Sequence, residues 1–127
     1  MKITVGIATT GRQEQMNLTL LELAKQTELP TQVIICPAIE SDYDRSIESS
    51  LPYPINVVFG GRGLTLQRNA IIAACLDTDI LVFFDDDFYP SSNFLAETQS
   101  LMKDESIVMA RGELLMDGAS NIGVEHE

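Results

Sequence analysis

Three consecutive carboxylates, Asp85, Asp86 and Asp87, are the side chains in this sequence best placed to do chemistry. Like charges at that spacing repel, so water or a bound cation must offset them. A hard divalent cation takes oxygen ligands and can bridge such carboxylates to a phosphate. The aspartates follow directly on Ile80 to Phe84, five apolar residues rich in branched and aromatic side chains. So short and so apolar a run reads as a strand buried on both faces, as in parallel sheets. Pro90 keeps it from continuing, because proline lacks the ladder donor. In open α/β sheets the ligand crevice lies beyond the carboxyl ends of the strands, where these aspartates fall. The competing interpretation is a solvated acidic turn that caps the next helix. Location favours the ligand site.

Other kinds of chemistry have little to work with. Cys36 and Cys75 are the only cysteines, and His126 is the only histidine. Neither a zinc set nor a cysteine–histidine nucleophile pair can be assembled from them. Both thiols read as small core hydrophobes kept reduced. The 127 residues suffice for one domain, residues 1–127, and not for two. Apolar residues make up 45% and recur along the whole length, which describes a globular chain. The formal charge is −11, from 19 acidic and 8 basic side chains. That argues against a nucleic acid held by phosphate contacts, which needs a basic face. It is compatible with a nucleotide held through a metal, where acidic residues are the ligands. No segment approaches the roughly 20 apolar residues of a membrane span. Strand-like sequence begins at Lys2 and leaves no room for a signal peptide, so the cytoplasm is the expected compartment.

The elements that must position the aspartates can be read in order. Ile3, Val5 and Ile7 alternate with Thr4, Gly6 and Ala8 in a first, central strand. The turn Thr9-Thr10-Gly11-Arg12 follows, and Thr10 with Gln13 fits the spacing of a capping box. A helix start behind a first strand also offers backbone N–H groups to an anion. The first helix is expected to run to about Thr27, with Met16, Leu20, Leu23 and Ala24 on its inner face. Val33 to Cys36 reads as the second strand, closed by Pro37. Tyr43, Ile47 and Leu51 recur at helical spacing in the polar stretch beyond it, where a short, poorly capped helix is expected. Asp42, Asp44 and Arg45 read there as solvated charges rather than ligands, although their place beyond a strand end keeps them as secondary candidates.

Ile55 to Phe59 is the third strand, and GGRGLTLQRN follows from Gly60 to Asn69. Three glycines in four positions imply a sharp turn or a close approach. Their spacing matches neither the dinucleotide fingerprint nor a P-loop. A helix starts near Thr65, with Leu66, Ala70, Ala73 and Ala74 on one narrow face. Arg68 falls in its first turn, unfavourable for a cation by dipole logic, so it faces an anion or lies idle at the surface. After the buried strand and the aspartates, Ser91 or Ser92 can cap a further helix carrying Phe94, Leu95, Thr98, Leu101 and Met102 inward. Ile107 to Ala110 is the fifth strand, which Glu113 to Met116 extends or turns into a hairpin. This alternation predicts an α/β fold, a mostly parallel Rossmann-like sheet with helices on both faces. If the order reverses after the third strand, the first and fourth lie side by side. The Thr9–Arg12 turn and the aspartates then flank one crevice.

Residues 67–90, QRNAIIAACLDTDILVFFDDDFYP, resemble the pattern of family 2 glycosyltransferases. There an Arg-Asn helix start leads through a small-residue helix to a strand and an Asp-x-Asp motif. The opening ITVGIATTGR is similar to that family's first strand and nucleotide-contacting turn. The resemblance implies the nucleotide-diphospho-sugar transferase fold, represented by its donor-binding half. It also implies an inverting glycosyltransferase that moves a sugar from a nucleoside diphosphate to a hydroxyl acceptor. A divalent cation, manganese or magnesium, would be held by Asp85 and Asp87. Thr9, Thr10, Arg12, Arg68, Asp85 and Asp86 would contact the donor. Two departures stand out. Cys36-Pro37-Ala38 occupies the place where the family commonly reads the base with an aspartate, which leaves the base open. The family's general base lies in its acceptor half, so the catalytic base is expected outside this chain, and nothing marks Glu113 as one. Two alternatives remain: a donor-binding or assembly module without turnover, and a metal-dependent nucleotidyltransferase using the same aspartates. The apolar run Leu114 to Met116, left without cover, predicts self-association as a homodimer.

Overall fold

The computed structural model describes residues 2–102, together with the backbone of two short strands at 109–110 and 124–125. Four parallel strands form the main sheet: β1 (Ile3–Thr9), β2 (Gln32–Pro37), β3 (Ile55–Val57) and β4 (Ile80–Phe84). Their order is β3-β2-β1-β4, so the order does reverse after β3 and β1 sits between β2 and β4. Ile7 pairs with Ile35 on one side and Phe84 on the other. That register carries Thr9 and Asp86, each two residues further on, to the same level of the sheet. A separate antiparallel pair joins β5 (Met109–Ala110) to β6 (Val124–Glu125).

Among the described residues, three α-helices cover the main sheet. On one face lie α1 (Gln13–Leu23) and α3 (Phe94–Leu101), which pack Met16, Leu20, Leu23, Phe94 and Leu95 onto Ile3, Val5, Ile7, Val33, Ile35, Val82 and Phe84. Phe84, Phe88 and Phe94 meet edge to face there, with ring centroids 4.7 to 5.4 Å apart. Each such pair adds roughly 0.5–1.5 kcal/mol beyond its area burial. On the other face α2 (Leu64–Ala74) sets Ile71 against Ile34 and Cys36. Gly6 permits this approach, because a Cβ there would lie 2.7 Å from the Ile71 Cγ2. The architecture is therefore α/β, mostly parallel, with helices on both faces. None of the described helices is long and apolar enough to cross a membrane.

Several local expectations are corrected. The capping box at Thr10 and Gln13 does not form. Arg12 is the N-cap residue without a side-chain cap, and the Gln13 amide donates instead to the Ser41 carbonyl. Helix α1 stops at Leu23 rather than Thr27, because Lys25 and Gln26 close a tighter turn onto Glu22 and Leu23. The Gln26 side chain then reaches α3, where its Oε1 accepts from the Leu95 N–H and its Nε2 donates to the Ser91 carbonyl. Neither Ser91 nor Ser92 caps α3. Asn93 holds the N-cap place, and Gln26 satisfies a free donor of the first turn from across the fold.

The expected weak helix is two 3-10 turns, Glu40–Asp42 and Arg45–Ser50. Strand β3 is shorter than Ile55–Phe59, and Phe59 is exposed. The packed face of α2 is Gln67 and Ile71 with Ala70 and Ala74 beside them, not Leu66 and Ala73, which are exposed. A buried glutamine was not anticipated on an alanine-rich helix. The Glu113–Met116 extension and the dimer surface expected around it lie outside the described residues.

Candidate functional site

A cavity of about 520 Å³ opens at the C-terminal edge of the sheet, between the turn after β1, the start of α2 and the aspartates after β4. Thr10, Arg12, Asp85, Asp86 and Asp87 line it, as the crevice argument anticipated. The strand's two-residue alternation sorts the aspartates. Ile80, Val82 and Phe84 point into the core, and Asp86 continues that phase and is buried. Asp85 and Asp87, in the opposite phase, are exposed. Three neighbouring carboxylates thus acquire two different environments from one backbone.

Asp86 is held from several sides. Thr9 Oγ1 donates to one carboxylate oxygen at 2.9 Å, and Arg12 Nη1 to the other at 3.1 Å. The Asp86 carbonyl accepts from Thr19 Oγ1 on α1 at 2.6 Å. A buried carboxylate needs such partners, and losing one leaves charge uncompensated. Arg12 also reaches Asp87 at 3.5 Å, and Arg68 approaches Asp85 at 3.8 Å. The Arg68 guanidinium rests over the Phe83 ring, 5.3 Å from its centroid. Arg68 therefore does face an anion, and its partner is within the protein. It stands beside the cavity rather than in its lining, whereas Thr9 is turned away into its bond with Asp86.

The turn after β1 is fixed from the opposite side by Asp42. Its carboxylate accepts from the Gly11 N–H at 2.9 Å and the Ile39 N–H at 3.1 Å. Asp42 is buried and structural, not a solvated charge; the two N–H donors supply what water would have. Gly11 adopts φ +63°, the left-handed region that favours glycine. Asp44 and Arg45 do behave as surface charges. Ser46, through its hydroxyl and then its N–H, holds the Asp44 carboxyl below the usual range, and Arg45 pairs with Glu48.

Sequence reasoning missed two polar side chains of the cavity lining. Gln67 is buried and donates through Nε2 to both the Thr9 carbonyl (3.0 Å) and the Cys36 carbonyl (2.8 Å). Its Oε1 accepts from the Gly63 N–H at 3.3 Å, so it ties the ends of β1 and β2 to the glycine loop. The only signal was a polar residue among small and apolar ones, one position before Arg68. Arg62 also lines the cavity, and a lone cation inside a glycine run was the available clue.

The donor set for a metal is narrow. No group of three or more His, Cys, Asp or Glu suited to a metal occurs among the described residues. Asp85 and Asp87 offer exposed carboxylates to the cavity while Asp86 is engaged internally. Two carboxylates suit a magnesium-type ion that keeps its waters and takes further oxygens from a bound phosphate. The residues fit such an ion as a co-ligand with substrate. They do not form an all-protein cage. Burial, partly opposed by the Gly60 N–H, raises the Cys36 thiol above its usual value, as expected of a core residue.

No family model matches this sequence, and no curated protein matches it. Solved structures do. The crystal structure of S. aureus TarS superimposes with a TM-score of 0.63 at 20% identity, over 87% of this chain and 21% of that one. TarS 1-349 in complex with UDP-GlcNAc matches with a TM-score of 0.59 at 19% identity, over 82% of this chain and 32% of that one. The same fragment in complex with UDP gives 0.57 at 20% identity, with the same coverage. This chain thus spans between a fifth and a third of the TarS chains it matches. At these identities the likeness concerns the fold, and it joins this sheet and its helices to a protein crystallised with a nucleotide sugar.

Proposed function

We propose that this chain binds the nucleoside diphosphate portion of a sugar donor and serves glycosyl transfer to a hydroxyl acceptor. The carrying observation is the cavity at the carboxyl edge of the parallel sheet, which presents exposed Asp85 and Asp87 beside basic side chains. The same fold in TarS, crystallised with UDP-GlcNAc and with UDP, supports this choice over other phosphate ligands. Asp85 and Asp87 would hold manganese or magnesium together with the diphosphate. The ion, when bound, supplies Lewis-acid stabilisation of charge on the departing nucleoside diphosphate. Arg12 and Arg68, already at the aspartates, add positive charge where the diphosphate would lie. Thr10 and the backbone of the β1 turn, held by Asp42 and Gln67, form the preorganised wall against which the nucleoside would rest.

An inverting reaction of the family 2 type is the form proposed, with the general base supplied from outside the described residues. A donor-binding role without turnover is the second reading. It needs only the same cavity and its aspartates. Calorimetric titration of UDP, GDP, ADP and CDP, with and without manganese, tests the donor site. Metal-dependent binding of at least one of them is expected; no binding in any condition refutes the site. Release of sugar from the matching donor, with and without simple alcohol acceptors, separates turnover from binding alone.

A further inference from the structure

Six basic side chains lie among the described residues, in a chain of formal charge −11. Five are paired: Lys2 with Asp77, Arg12 with Asp86 and Asp87, Lys25 with Glu22, Arg45 with Glu48, and Arg68 with Asp85. Arg62 is the sixth. Among the described residues it forms no ion pair, although acidic side chains outnumber basic ones by more than two to one. It is also the basic residue of the cavity lining that the aspartates leave free.

Its presentation is specific. Gly61 and Gly63 on either side adopt φ +97° and +121°, which other residues rarely take. The loop is pinned where the Gly63 carbonyl accepts from the Gln67 N–H at 2.9 Å and the Gly63 N–H donates to Gln67 Oε1. Gln67 is itself locked to the ends of β1 and β2. The guanidinium is thus carried by a tethered loop on a wall of the cavity formed by a different element from the one bearing Asp85 and Asp87. Among the described residues, an acidic chain that spends five of six cations on internal pairs, yet holds this one in the cavity without an acidic partner, has a cation for an incoming anion.

We propose that Arg62 is a donor-recognition residue that binds an anionic oxygen group of the ligand, additional to the group bridged by metal at Asp85 and Asp87. This inference rests on the donor-site reading above. The chemistry it selects is an oxyanion able to accept a forked pair of N–H bonds. Two parts of a donor can supply one: the diphosphate itself, or a carboxylate on the transferred sugar.

The test uses the full chain with manganese present. Parent, Arg62→Ala, Arg62→Lys and Lys25→Ala are titrated with the nucleoside diphosphate that the parent binds, and with its neutral hexose and hexuronate conjugates. Losing a charge-assisted contact should weaken binding by roughly 10- to 100-fold in Arg62→Ala. Arg62→Lys should recover part of that loss, and Lys25→Ala should bind like the parent. A loss shared by all three ligands assigns Arg62 to the diphosphate. A loss confined to the hexuronate conjugate assigns it to an acidic sugar. Parent-like binding of every ligand by Arg62→Ala overturns the inference and leaves the donor site standing. If the parent binds no nucleotide at all, the donor-site reading itself fails and this inference with it. Circular dichroism of Arg62→Ala, expected to match the parent, separates contact loss from unfolding.

Discussion

The two faces of the sheet are built on different terms. The face under α1 and α3 is a broad apolar core in which Leu20, Leu23, Leu95 and the three phenylalanines interlock. Among the described residues the face under α2 is thin: Ile34, Cys36 and Ile71 form its buried cluster, and Gln67 completes it with hydrogen bonds to backbone carbonyls. The cavity lies at the end of this thin side. An apolar core resists substitution through packed volume, whereas a polar clamp resists it through unsatisfied groups. The difference teaches that the two faces should fail in different ways: one by losing the fold, the other by losing the site first.

Substitutions can break that comparison, beginning with the largest effect. Phe84→Ala removes the ring shared by two edge-to-face contacts and should destabilise the chain by about 3–5 kcal/mol in urea titration. A loss under about 1 kcal/mol would mean the broad face is not the stabilising one. Gln67→Leu keeps bulk but leaves the Thr9 and Cys36 carbonyls without their side-chain donor. It should cost roughly 2–4 kcal/mol and weaken nucleotide binding even where the protein remains folded. Binding unchanged in the folded variant would detach the clamp from the site.

Asp87→Ala sharpens the comparison from the other side. Asp87 is exposed, and its link to Arg12 is a long surface contact, so stability should shift by less than about 0.5 kcal/mol. Manganese-dependent nucleotide binding should nevertheless disappear; equal affinity with and without metal in both parent and variant would remove Asp87 from the proposed ion site. The smallest effect concerns the thiols. Cys75 is half-buried and Cys36 fully buried, so an alkylating reagent should label Cys75 first and Cys36 only after unfolding. Burial raises the Cys36 thiol in the folded state, so above the ordinary thiol value of about 8.5 the unfolded chain ionises first. Stability should therefore decline as pH rises beyond that point, and Cys36→Ala should flatten the decline.

Much of this protein was legible in its residues. The alternation in Ile3 to Ile7 and the apolar run Ile80 to Phe84 marked two strands, but not their burial: the packed helices bury β1 on both faces, Thr4 included, and leave Leu81 and Phe83 of β4 only half-buried. The recurrence of strand and helix determined a parallel sheet, since parallel strands need crossover connections. The aspartates at a strand's carboxyl end located the crevice. Tertiary structure decided the rest. It sorted Asp86 from its two neighbours, because burial depends on which phase of the strand meets α1. It gave Asp42 a structural role, because beside the local Ile39 N–H it also satisfies the Gly11 N–H of a loop distant in sequence. Gln26 caps α3 and Gln67 joins two strand ends by the same principle. Local periodicity records which face of an element is apolar. It does not record which distant backbone group will lack a hydrogen-bond partner once the elements pack, and that requirement assigned these polar side chains their places.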